Sequence, residues 1–329
     1  MRSPMDLARF IQRRHFRAYE RDMARASYAY GVDLRRTRWL TTSMFGQATL
    51  RALEHAWRPV ADSLMASDLR FADRPGDIEI LTEILEVAHL LHTTPPAVRL
   101  LRDDAARSGE WPFVTPLGDP HGTDEWLVLD LEALRSQPPR ERAFLLGMGL
   151  GHLHCGHGVL YLAHLVTHRR GRAHGLTRRL LGPWNKVAAY SGDRAGLLTA
   201  GDLASALTAV ETVMATTPGW CPPSPALSER QLALTEFAES AVAARFRARQ
   251  LRHLREGEAY SLEEGLQAIA AASEPAPTEG APGAEAGTPD AQGAEPDAPA
   301  PAPEPEAVPD DAWPLARCDH RLTRRLHLF

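Results

Sequence analysis

The sequence predicts an α+β fold, mostly helical, with one small sheet. Three observations carry this. Apolar residues recur three and four apart through most of the 329 residues, the spacing that lines one face of a helix. Only 97–101, 111–115 and 126–131 combine β-branched or aromatic residues with turn-rich borders, as short strands do. The composition then changes abruptly at residue 273, where packing residues nearly vanish.

In chain order, 5–70 reads as helical. Leu7, Phe10, Ile11, Phe16 and Tyr19 fall at roughly helical spacing, and a second helix runs from about 42 to 66. Residues 76–92 form a strongly amphipathic helix that Pro95 and Pro96 end. The three strand candidates follow. Then come a helix through 144–157, a helix containing 189–193, helices at about 202–215 and 225–256, and a last one at 261–272.

Residues 273–312 hold ten prolines, ten acidic side chains and no Lys or Arg. Such a segment cannot bury enough apolar surface to offset its ordering entropy, so a disordered linker is expected. As a flexible coil it spans about 35 Å. The tail 313–329 is basic and apolar. Trp313, Leu322, Arg325, Leu326 and Phe329 read as a docking motif, for a partner or for this chain's own body. The formal net charge is −5; without the linker, 37 basic side chains face 32 acidic ones. That balance gives no nucleic-acid signature. Three cysteines and an N-terminus without an apolar leader suggest a reducing cytoplasm.

From 143 to 168 there is no Asp, Glu, Lys or Arg, but there are five His and five Gly. A buried central helix and its successor explain this; a membrane-inserted segment is the alternative. Gly147, Gly149 and Gly151 in that helix each cost about 1 kcal/mol relative to Ala. Close approach of a neighbouring backbone would explain them.

The stretch Phe-Leu-Leu-Gly-Met-Gly-Leu-Gly-His-Leu-His-Cys-Gly-His at 144–157 is missing what a zinc-peptidase helix needs. His-Glu-x-x-His puts two imidazoles on one helix face and a general base beside the metal-bound water. Here Met148 stands for the first His and Gly149 for the Glu, and only His152 remains. Downstream, Ala189-Tyr-Ser-Gly-Asp193-Arg194 follows in the expected order. Over roughly 85–262 the chain resembles the M48 family of zinc metallopeptidases, whose second motif is Glu-x-x-Ala-Asp-Arg. The resemblance implies a zincin-like fold and assigns the third zinc ligand to the position of Ala189.

Other chemistry is weaker. His152, Asp193 and His157 are metal candidates, and His164 and His168 lie four apart. Cys155 beside His154 and His157 lacks an identified orienting acid. Asp193 with Arg194 reads as a structural ion pair or a helix-end contact.

The resulting expectation has four regions. These are an N-terminal helical region packed on the core (1–75), a degenerate peptidase domain (76–272), the linker (273–312) and the docking tail (313–329). Met148, Gly149, His152, Ala189 and Asp193 are vestigial active-site positions with no catalytic set intact. A pseudopeptidase that binds protein or peptide, without cofactor, is the first reading. A zinc metalloendopeptidase with a rearranged or partner-completed site is the alternative, and a membrane-associated assembly factor the second.

Overall fold

The computed structural model describes residues 23–169, 175–256 and 312–326. The chain divides into two units, Met1–Gln250 with Val308–Phe329, and Leu251–Ala307. The first unit is mostly helical with a small four-stranded mixed sheet.

A helical segment at 23–28 leads into α1 (Gly31–Thr42) and α2 (Met44–Ser67). Ser43 separates them; its hydroxyl accepts from the Gly46 amide, an N-cap for α2. Strand β1 (Leu69–Phe71) follows, then α3 (Ile78–Leu90), β2 (Ala97–Leu101) and the short α4 (Asp103–Arg107). Arg70 on β1 reaches Asp77 before α3 with two bonds, 2.7 and 3.1 Å. Strands β3 (Val114–Gly118) and β4 (Glu125–Leu129) form a hairpin. The sheet order is β1-β2-β4-β3; β2 and β4 are parallel and the other pairs antiparallel.

The expected strand at 111–115 begins instead at Val114. Trp111 packs edge-on against Trp220, 5.6 Å between ring centres, and pairing with β4 runs from Val114 to Gly118. Strand β1, on Leu69–Phe71, begins inside the stretch that the sequence reads as helical; three residues are too few to show a period of two. The segment 1–75 therefore contributes a strand as well as helices.

After α5 (Leu131–Arg135) comes α6 (Pro139–His154), whose residues from Phe144 to His154 are all buried. A helix that is apolar all round belongs in a core, and α6 lies between the sheet and α8 (Gly175–Ala200). Helix α7 (Gly158–Arg169) packs on β3. The glycines of α6 mark close approaches. A Cβ on Gly149 would lie 2.3 Å from Val114 Cγ1, and one on Gly151 2.3 Å from Ala195 Cβ. A Cβ on Gly147 would overlap the Thr199 side chain. The nearest atoms are side chains, not the neighbouring backbone that the sequence suggested.

Helices α9 (Leu203–Thr216) and α10 (Leu227–Ala238) pack on α8, and α9 also on α6; α11 (Ala241–Glu256) follows. The single helix expected over 225–256 is broken at Glu239–Ser240. There the chain pairs with Trp313: its amide donates to the Glu239 carbonyl at 3.1 Å, and its carbonyl accepts from Ala241 at 2.9 Å. Helix α12 (Leu315–Arg325) then lies on the body with Cys318 and Leu322 fully buried. Phe329, the linker and the helix expected at 261–272 lie outside the described residues, as does the first helix of the N-terminal region. Among the described residues, no helix is long and apolar enough to cross a membrane.

Candidate functional site

Helix α6 ends in a Schellman turn. Gly156 takes a φ of 76°, and the amides of Gly156 and His157 return to the carbonyls of Leu153 and His152 at 2.9 and 2.8 Å. These bonds satisfy the last carbonyls of the helix, and glycine serves at the left-handed position because it has no Cβ. The turn folds His157 back onto His152. Their Nδ1 atoms lie 3.0 Å apart and the ring centres 5.2 Å apart.

The polar chain continues inward. His157 Nε2 lies 3.0 Å from Asp33 Oδ1. Asp33 also accepts from Trp184 Nε1 at 2.9 Å and from Ser191 Oγ at 2.5 Å. Ser191 Oγ in turn accepts the Tyr30 amide at 3.0 Å. All of these side chains are buried. A buried carboxylate is tolerated only when donors surround it, and here they come from α8 and the turn after α6. The network therefore locks α1 to both helices.

His152 sits in the middle of this region. Tyr161 stands edge-on to its ring at 5.5 Å, and Gly192 approaches its far nitrogen so closely that a Cβ there would lie 2.5 Å from Nε2. Burial pushes the His152 pKa well below its ordinary value, and His157 and Arg230 push it the same way. His152 is therefore held as a neutral imidazole.

One turn earlier, Met148 Sδ lies 3.7 Å from Arg230 Nη2. Arg230 makes a two-pronged pair with Asp193: Nε donates to Oδ2 at 2.8 Å and Nη2 to Oδ1. Both residues are buried. Burial alone would lower the Arg230 pKa, but the charge and hydrogen bonds of Asp193 outweigh it, and the pKa is raised. The guanidinium is a fixed buried cation. Ala189, one turn before Asp193 on α8, is buried and offers only a methyl group. Gly149 faces the sheet, where Val114 and Leu127 leave no room for a longer side chain.

Asp193 and Arg194 do not pair with each other. Successive helical residues point about 100° apart, so they take separate partners. Arg194 pairs with Asp319 of the tail at 2.7 Å, stacks over Phe237 at 4.8 Å and over Tyr30 at 5.2 Å, and donates to the Tyr28 carbonyl at 3.3 Å. Asp319 Oδ2 accepts the Gly31 amide at 2.9 Å, and the Tyr30 and Thr323 hydroxyls meet at 2.5 Å. Buried Glu236 receives Arg321 at 3.2 Å and also Arg325. Of the tail motif, Trp313 supplies the bridge, Leu322 the buried contact and Arg325 an ion pair. Leu326 is partly buried against the core.

The structure thus brings His152 and His157 together but directs Asp193 to Arg230. Among the described residues, the one group of three with metal-ligand chemistry is Asp33, Cys155 and His157, all buried. Asp33 and Arg230 are the buried charges of this region that the sequence does not reveal. Asp33 lies 124 residues from His157, and no short-range pattern links them. Arg230 reads as an ordinary charge on an amphipathic helix. No protein family, curated protein or solved structure matches the chain.

Proposed function

We propose that this chain is a degenerate zincin of the M48 type, a pseudopeptidase that no longer hydrolyses peptides and serves as a protein- or peptide-binding module. One observation carries the reading: the Arg230 guanidinium lies against Met148, the position that the resemblance gives to a zinc-ligating histidine. A fixed positive charge there repels a divalent cation. Methionine and alanine supply no strong zinc ligand, and glycine supplies no general base. The neutral His152 then has a packing role, closing the polar chain to Asp33.

All five β3 residues are buried, so that edge offers no open backbone. The corner between α1 and α2 presents Trp39, Met44 and Phe45 to solvent. Large apolar side chains clustered on a surface mark contact sites. Fluorescence anisotropy of a labelled unfolded casein tests this. A saturable rise in anisotropy is expected, with the affinity weakened at least tenfold by combining Trp39→Ala with Phe45→Ala. No rise with the wild type would remove the binding role.

A further inference from the structure

We propose that Asp33, Cys155 and His157 form a structural metal site, suited to zinc, none of whose ligands is a vestigial peptidase position. Donor atoms of the three lie within 4.8 Å of one another, and all three residues are buried. They offer one carboxylate oxygen, one sulfur and one imidazole nitrogen. This mixed set suits Zn²⁺, a borderline-soft ion that tolerates S, N and O ligands. A thiolate and a carboxylate together neutralise a dication, so the filled site carries no net charge into the core.

The turn that ends α6 builds this site. Cys155 and His157 flank Gly156, whose positive φ brings both side chains to the same side, facing Asp33 on α1. The surrounding hydrogen bonds are those that orient metal ligands. Trp184 Nε1 and Ser191 Oγ hold the two oxygens of Asp33, and His157 Nδ1 rests against His152 Nδ1. In the empty site His157 Nε2 donates to Asp33; a metal takes that position, and the displaced proton passes to Nδ1, which faces His152 Nδ1. Coordination releases the Cys155 thiol proton to solvent and gathers the three donor atoms to bonding distance of the ion.

The site joins segments far apart in sequence, so its role is to lock α1 onto the core. It involves neither Met148, Ala189 nor Asp193. It therefore stands or falls independently of whether the chain binds a polypeptide.

The test uses the full chain, stripped with chelator and titrated with Zn²⁺ or Co²⁺. One equivalent of zinc is expected, with a rise in thermal stability. Cobalt should give a near-ultraviolet thiolate charge-transfer band that Cys155→Ser abolishes and that Cys221→Ser and Cys318→Ser retain. X-ray absorption of the zinc-loaded wild type, which needs no variant to fold, should show one sulfur at about 2.3 Å. Trp184→Phe, by freeing one oxygen of Asp33, should weaken zinc binding about 10- to 100-fold. No retained metal, a metal shell without sulfur, or a cobalt band that survives Cys155→Ser would overturn the proposal.

Discussion

Arg230 holds Asp193 through Nε and Nη2, with Nε 2.8 Å from Oδ2, and the same guanidinium lies 3.7 Å from Met148 Sδ. On the proposed reading, this protein-borne cation stands beside the position of the lost metal ligand. Removing it leaves a buried carboxylate with no counter-charge. Arg230→Met should cost about 3–5 kcal/mol, read from urea unfolding. Adding Asp193→Asn should recover most of that loss. A single-variant cost below about 1 kcal/mol would mean the pair is not buried as described.

Gly149 sets helix propensity against packing. Propensity alone predicts that Gly149→Ala stabilises the chain by about 1 kcal/mol. The 2.3 Å approach to Val114 Cγ1 predicts the opposite sign, a loss of about 1–3 kcal/mol from overpacking. Val114→Ala removes that methyl group, so the double variant should be less unstable than the sum of the two changes. A stabilised Gly149→Ala would contradict the contact between α6 and β3.

The tail is expected to act as part of the body. Asp319→Ala removes the carboxylate that faces Arg194, which is 1% exposed. The expected cost is about 3–5 kcal/mol, that of breaking a buried pair. Arg317→Ala disturbs only a stacking contact over Trp313 and should cost about 1 kcal/mol or less. Thermal unfolding of the two variants side by side checks the contrast.

Acid should loosen the junction of β1 and α3. The Arg70 hydrogen bonds hold the Asp77 pKa below its ordinary 3.8, against the opposing effect of burial. The unfolded chain therefore takes up a proton at a pH where the folded chain does not. The pair's contribution is full above pH 3.8 and is lost as pH falls through the lower folded value. Asp77→Asn should cost about 2 kcal/mol at neutral pH and flatten the acid side of the stability curve, measured by urea unfolding from pH 3 to 7. An unchanged slope would remove this pair as the cause.

Much of the framework is legible in the residues. The α2, α3, β2 and β4 segments follow from apolar spacing, and Pro95 and Pro96 close α3, because local sequence determines both. The break between α10 and α11 has one local signal, Ser240, whose hydroxyl accepts the Ala243 amide, and one distant partner, Trp313. The site divided in the same way. Met148, Gly149, His152 and Ala189 stood out because motif positions are local. Asp33 and Arg230 did not, because a single buried charge gains its meaning only from the partner that folding brings to it. Asp193 and Arg194 show the converse error: adjacent in sequence, they diverge around the helix and serve different contacts.

The most direct measurement is hydrolysis of a fluorogenic unfolded casein by the full chain at saturating zinc, with and without a chelator. A pseudopeptidase gives no chelator-sensitive cleavage, whether or not zinc is bound. Cleavage that the chelator stops and that His152→Ala abolishes would contradict that role, and would mean that a working metal centre survives beside Arg230.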